Sequence, residues 1–97
     1  MRKVVDITEK LSFDENPCIK IKGKEYEVNA DATTILEIMG AFQNKKEMEA
    51  GLYAYEKLFS AKDREDIARL KIPWKDLEVI IDAAINLATG NEEAEGE

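Results

Sequence analysis

Apolar residues recur with helical spacing along PWKDLEVIIDAAINLATG, from Pro73 to Gly90. At about 100° per residue, Trp74, Leu77, Ile80, Ile81, Ala84, Ile85 and Ala88 fall on one half of a helical wheel. Lys75, Glu78, Asp82, Asn86 and Thr89 fall mostly on the other. Pro73 suits the first helical turn, where its missing N–H is no loss. Gly90 suits the left-handed conformation that ends a helix. So wide an apolar face must be covered. The pattern therefore predicts a helix over Pro73–Thr89 that is central to the packing of the rest.

The same spacing logic applied from the start of the chain predicts the other elements. Val4, Val5, Ile7, Leu11 and Phe13 are apolar without a clean period, and Lys3–Ile7 is read as a strand. Asp14, Glu15, Asn16 and Pro17 form a turn cluster. Cys18–Asn29 predicts a β-hairpin with Gly23-Lys24 as a two-residue type II′ loop. In that register Ile21 faces Tyr26 and Ile19 faces Val28, while Lys22 faces Glu25 and Lys20 faces Glu27. Asp31 is placed to cap a first helix with Ile35, Leu36, Ile38, Met39 and Phe42 on its apolar face. Asn44 and Glu47 have capping-box spacing, and Met48, Leu52, Tyr55 and Phe59 then mark a second helix with Leu58 alongside. Ser60 and Asp63 open a short third helix anchored by Ile67 and Leu70.

The expected architecture is α+β. An N-terminal hairpin of two strands, or of three if Lys3–Ile7 joins it, precedes four helices in one domain over residues 1–90. Residues 91–97, NEEAEGE, are expected to be a disordered acidic tail. The hairpin's apolar face should lie on the helices, leaving its far edge for pairing with another copy.

Composition narrows the function classes. The chain has 97 residues, and 44% of them are apolar, which is enough to build one core. It carries 21 acidic against 14 basic residues, a formal charge of -7. Glu92, Glu93, Glu95 and Glu97 hold four of those acids, so the body is a mixed-charge surface. Neither part suits a phosphate backbone, and no nucleic-acid partner is expected. The N-terminus MRKVVDITEK has no apolar core like that of a signal peptide. No apolar run approaches ~20 residues, so no membrane span is expected. Cys18 is the single cysteine and excludes an intrachain disulfide, which fits the cytoplasm.

Nothing in the chain points to a reaction. There is no histidine, which removes the commonest general base and metal ligand. Asp63 with Asp66, and Glu78 with Asp82, pair carboxylates on one helix face, but interleaved Lys62, Arg64, Arg69 and Lys75 mark a solvated surface. No phosphate-binding glycine loop occurs, and the hydroxyl residues have no base to activate them. No catalytic, cofactor-binding or metal-ligating residue is therefore assigned, and the protein is not expected to be an enzyme. Apolar groups off the helical stripes are the remaining candidates. Tyr53, Val79 and Leu87 lie near the polar edges of their helices, and Trp74 opens the last one. If they share a surface they mark a partner-binding site.

Taken whole, the chain resembles the tail assembly chaperones of long-tailed bacteriophages and prophages of Gram-positive hosts. The hairpin IKIKGKEYEVNAD is similar to that family's short extended segment with a G-K-E-Y/F turn before the first helix. LFSAKDREDIARL resembles the end of its helical middle, and Ile72-Pro73-Trp74-Lys75-Asp76 the start of its final helix. Pro73 stands where Ser or Asn is more usual. The match lies in the order of these pieces and the size of the chain. The resemblance implies a non-catalytic protein of the host cytoplasm, several copies of which coat the tape measure protein. It would keep that protein soluble and help recruit the major tail protein. It also implies self-association, and for many members a longer form made by ribosomal frameshifting. The competing expectation is a small acidic regulatory or inhibitor module that acts by protein binding, for instance by mimicking DNA.

Overall fold

The computed structural model describes residues 2–90. Two strands, β1 (Cys18–Ile21) and β2 (Lys24–Glu27), form an antiparallel hairpin. Four helices follow: α1 (Ala32–Asn44), α2 (Glu47–Leu58), α3 (Ala61–Arg69) and α4 (Trp74–Ala88). The α+β architecture is as expected. The tail expected at residues 91–97 lies outside the described residues. No third strand forms among them. Residues 3–7 are instead irregular chain, with Ile7 at φ -108° and ψ 14°, before a 3-10 turn at Thr8–Lys10. There Asp6 Oδ1 accepts from the Thr8 N–H at 3.0 Å and the Thr8 hydroxyl at 2.6 Å.

The hairpin pairs in a different register from the expected one. Ile19 lies opposite Tyr26, Lys20 opposite Glu25 and Ile21 opposite Lys24. The loop is therefore Lys22-Gly23, not Gly23-Lys24. Both residues have positive φ, 50° and 84°, as a type I′ turn requires. Side chains alternate with period two, so registers two residues apart place the same residues on the same face. Side-chain sorting cannot separate them. The turn dihedrals do: Lys22 and Gly23 are both left-handed, as the two central residues of a type I′ loop must be, whereas a type II′ loop at Gly23-Lys24 needs positive φ at Gly23 alone. In either register Ile19, Ile21, Tyr26 and Val28 share the face that the helices cover, with Tyr26 and Val28 fully buried.

Asn29 and Lys24 tie the hairpin to the helices. Asn29 donates its backbone N–H to the Leu58 carbonyl at 2.9 Å and its side-chain amide to the Lys57 carbonyl at 3.1 Å. It thereby satisfies two of the carbonyls that the C-terminus of α2 leaves unpaired. Lys24, brought onto the inner face by the register, lies 5.3 Å from the Tyr26 ring centroid and pairs with Asp66 of α3. Asn16 steadies the entry strand: its amide donates to Glu27 at 2.8 Å and its carbonyl accepts from the Ala30 N–H at 3.1 Å.

Two of the three expected caps form. Asp31 accepts from the Thr34 N–H at 3.2 Å, and Ser60 accepts from the Asp63 N–H at 3.1 Å. The expected Asn44–Glu47 capping box does not. Asn44 ends α1 and donates to the Gly40 carbonyl, while α2 opens on Lys46 with no side-chain cap. Glu47 and Glu49 in its first turn supply favourable charge at that N-terminus instead.

The core draws on both strands and all four helices. Phe59, Leu58, Ile67 and Val28 are its largest fully buried side chains, joined by Ile38 of α1 and by Ile81 and Ala84 of α4. Helix α2 packs against both α1 and α4. Its inward face follows the expected stripe only toward the C-terminal end, where Leu58 and Phe59 are buried and Tyr55 packs on the core. Ala50, Ala54 and Leu58 are fully buried, whereas Met48 and Leu52 are 67% and 57% exposed. Met48 lies about 200° from Ala50 on the wheel, and Leu52 about 200° from Ala54, so a helix cannot bury both sets against one neighbour. The small residues let two helices approach closely, and that packing wins. On α1, Ile38 and Ala41 are buried, while Leu36, Met39 and Phe42, also expected inside, are exposed.

Enlarging the buried alanine should disturb both contacts of α2. Ala54→Leu is expected to lower stability by about 1–3 kcal/mol, read as a reduced urea midpoint.

The charged ties set a pH window. The hydrogen bond from Lys24, and then the attraction of Lys24, Arg69 and Lys62, hold the Asp66 carboxyl below its ordinary 3.8. Thr34 does the same for Asp31, through its hydroxyl and then its N–H. The bond to Asp66 raises the Lys24 ammonium above its ordinary 10.5. A lowered carboxyl contributes stability that is lost as pH falls through its folded value, and a raised ammonium contributes stability that is lost as pH rises through its own. The urea midpoint should therefore be level from about pH 5 to 9 and fall on both sides. Asp66→Asn should remove Lys24's alkaline edge and leave the acid edge from Asp31.

Candidate functional site

The residues that α2 and α4 do not turn inward meet in an open groove. Two adjoining hollows of about 490 and 350 Å³ share Met48, Trp74 and Ile81. Phe42, at the end of α1, lines the larger with Gly51, and Leu52, Tyr55 and Leu77 line the smaller. Ile81 is only 6% exposed and forms the floor, while Trp74 is 48% and Phe42 44% exposed. Large apolar side chains thus stand in solvent around a buried base.

Local structure explains why each is there. Pro73 precedes the first residue of α4, so Trp74 begins the helix where few neighbours surround it. Trp74, Leu77 and Ile81 follow at helical steps and continue one stripe from the open end into the core. Met48 lies in the first turn of α2 and Leu52 one turn on, on the side left free by the alanine face. Met48 is an unbranched thioether with soft packing demands, suited to surfaces of variable shape.

The rim is acidic. Glu47, Glu78 and Asp82 line the larger hollow and Glu49 the smaller. An apolar floor bordered by carboxylates suits an apolar ridge flanked by lysine or arginine.

The four predicted contact residues separate. Trp74 lines the groove. Tyr53, Val79 and Leu87 are not among its lining residues. Tyr53 is half-buried against the core, with Lys45 and Lys57 ammonium groups 5.9 and 5.4 Å from its ring centroid. Leu87 is half-buried, and Val79 is 66% exposed on another side of α4. Met48, Leu52 and Phe42 are the site residues that sequence reasoning placed in the core instead. The signal available for them was the competing small stripe Ala50–Ala54–Leu58 at steps of four.

The acid pairs and the thiol stand in other roles. Asp66 is bound by Lys24 and, at 2.8 Å, by Arg69. Among the described residues no group of three or more Asp, Glu, Cys or His side chains is placed to hold a metal ion. Cys18 is exposed on the hairpin, and partial desolvation, then the charges of Glu25, Glu27 and Asp63, push its thiol pKa up. Among those residues no helix is long and apolar enough to cross a membrane. No family model, curated protein or solved structure matches the chain.

The groove walls and floor should respond differently to truncation. Met48→Ser and Leu52→Ser are expected to leave stability within about 0.5 kcal/mol, because both side chains already face water. Ile81→Ala should cost about 2–5 kcal/mol. Urea unfolding of the three variants measures both effects.

Proposed function

We propose that this chain is a tail assembly chaperone that binds the tape measure protein of a long-tailed phage. It keeps that protein soluble in the host cytoplasm, helps recruit the major tail protein, and acts in several copies without catalysis. The open groove of Met48, Leu52, Trp74 and Phe42 carries the reading. A tape measure protein is a long helical chain, and an amphipathic helix laid in a hydrophobic groove is a common mode of peptide recognition. Methionine on the wall suits a client whose successive segments differ in detail. The acidic rim favours client segments with basic flanks and disfavours nucleic acid.

The regulatory or inhibitor alternative draws on the same acidic surface. The apolar floor inside the rim favours the chaperone, because a DNA mimic needs spaced carboxylates and no greasy centre.

Co-expression with the tape measure protein encoded in the same tail gene cluster tests the proposal. The native chain should raise the soluble fraction of that protein several-fold, and the two should co-purify. A Met48→Asp, Leu52→Asp variant should keep its fold by circular dichroism and lose most of that effect. No change in solubility with the native chain would sink the proposal.

A further inference from the structure

The described chain leaves a second apolar feature outside the body. Residues 2–16 form an arm ahead of the hairpin. Val4, Val5 and Ile7 are 81%, 67% and 50% exposed, and none belongs to the core cluster. Arg2 and Lys3 come directly before them. Asp6, the one acid within residues 2–7, is engaged by both polar groups of Thr8. Residues 2–7 are thus an apolar strip headed by two cations.

The α2–α4 groove is its complement in chemistry and length. It offers apolar walls and floor within a rim of Glu47, Glu49, Glu78 and Asp82. From Trp74 to Ile81 it runs about 10 Å at 1.5 Å per helical residue. Val4 to Ile7 in extended form also spans about 10 Å at 3.3 Å per residue.

We propose that residues 2–7 of one copy dock in the α2–α4 groove of a second copy. In an extended segment Val5 and Ile7 point to one side, about 7 Å apart, and they lie along the stripe that runs from Trp74 to Ile81. Arg2 and Lys3 reach the carboxylates of the rim. Arm and groove are different surfaces, so the contact is heterologous: two copies exchange arms, or copies join head to tail. The contact needs no other protein and stands whether or not the groove also accepts a tape measure helix.

The chain's single tryptophan lies in the groove and reports on it directly. Sedimentation velocity and Trp74 emission are followed over a concentration series for the native chain, an arm variant and a groove variant. The arm variant is Val5→Asp, Ile7→Asp, and the groove variant is Met48→Asp. The native chain should associate, with emission shifting to the blue as it does so. Each variant should associate at least about tenfold more weakly, with unchanged circular dichroism because the altered side chains are exposed. Mixing the two should restore a one-to-one complex, since the groove variant keeps a good arm and the arm variant a good groove. A native chain that stays monomeric with red emission overturns the proposal. So does an arm variant that associates like the native chain, which would assign self-association to another surface such as the hairpin edge. Blue emission at every concentration, lost in the arm variant, would place the arm in its own groove and equally overturn docking between copies.

Discussion

Helix α2 has to pack on two sides at once, and it does so with small side chains. Ala50 and Ala54 are fully buried, with Leu58 completing the row. Alanine adds little burial energy of its own, but it lets neighbouring backbones come close, where many dispersion contacts form. Once that face points inward, the rest of the helix is determined. Met48 and Leu52 must point out. The groove is therefore a by-product of how the core is packed, not a separate element added to the fold.

The two ends of α2 have opposite characters. At its C-terminus Asn29 covers free carbonyls, Phe59 is buried and Arg64 donates to the Phe59 carbonyl at 3.2 Å. Lys24 joins the hairpin to Asp66 close by in the chain order of α3. At its N-terminus there is no side-chain cap, and the apolar residues face water. Eleven helical steps separate the ends, about 16 Å. The body is secured at one end and offers surface at the other, so a ligand can engage the groove without disturbing the ties that hold the hairpin.

Much of this was legible from residue types, and the failures have definite causes. Asp31 and Ser60 cap helices because their short oxygens reach the third N–H onward, a local rule that tertiary packing leaves alone. Asn44 had the same spacing to Glu47, but its amide found the Gly40 carbonyl and the next helix started later. The hairpin faces were readable and its register was not, because alternation repeats every two residues. On α2 the stripe holds at Tyr55 and Phe59 and fails at Met48 and Leu52, because Met and Leu outweigh Ala on any hydrophobic scale while close packing favours the reverse. Trp74 was legible as a contact candidate from its position alone. Its partners across the groove were not, since Met48 and Phe42 meet it only through the mutual placement of three helices. Tyr53 shows the converse: off the main stripe by the wheel, it still packs against the core.

One consequence concerns the lifetime of any assembly these copies make. Cys18 stands on the outer side of the hairpin with Glu27 directly opposite and Glu25 nearby. Partial desolvation and then those carboxylates push the thiol pKa further above its ordinary 9.0, and a protonated thiol is a poor nucleophile in disulfide exchange. Crowding the molecules together therefore does little to stitch them covalently.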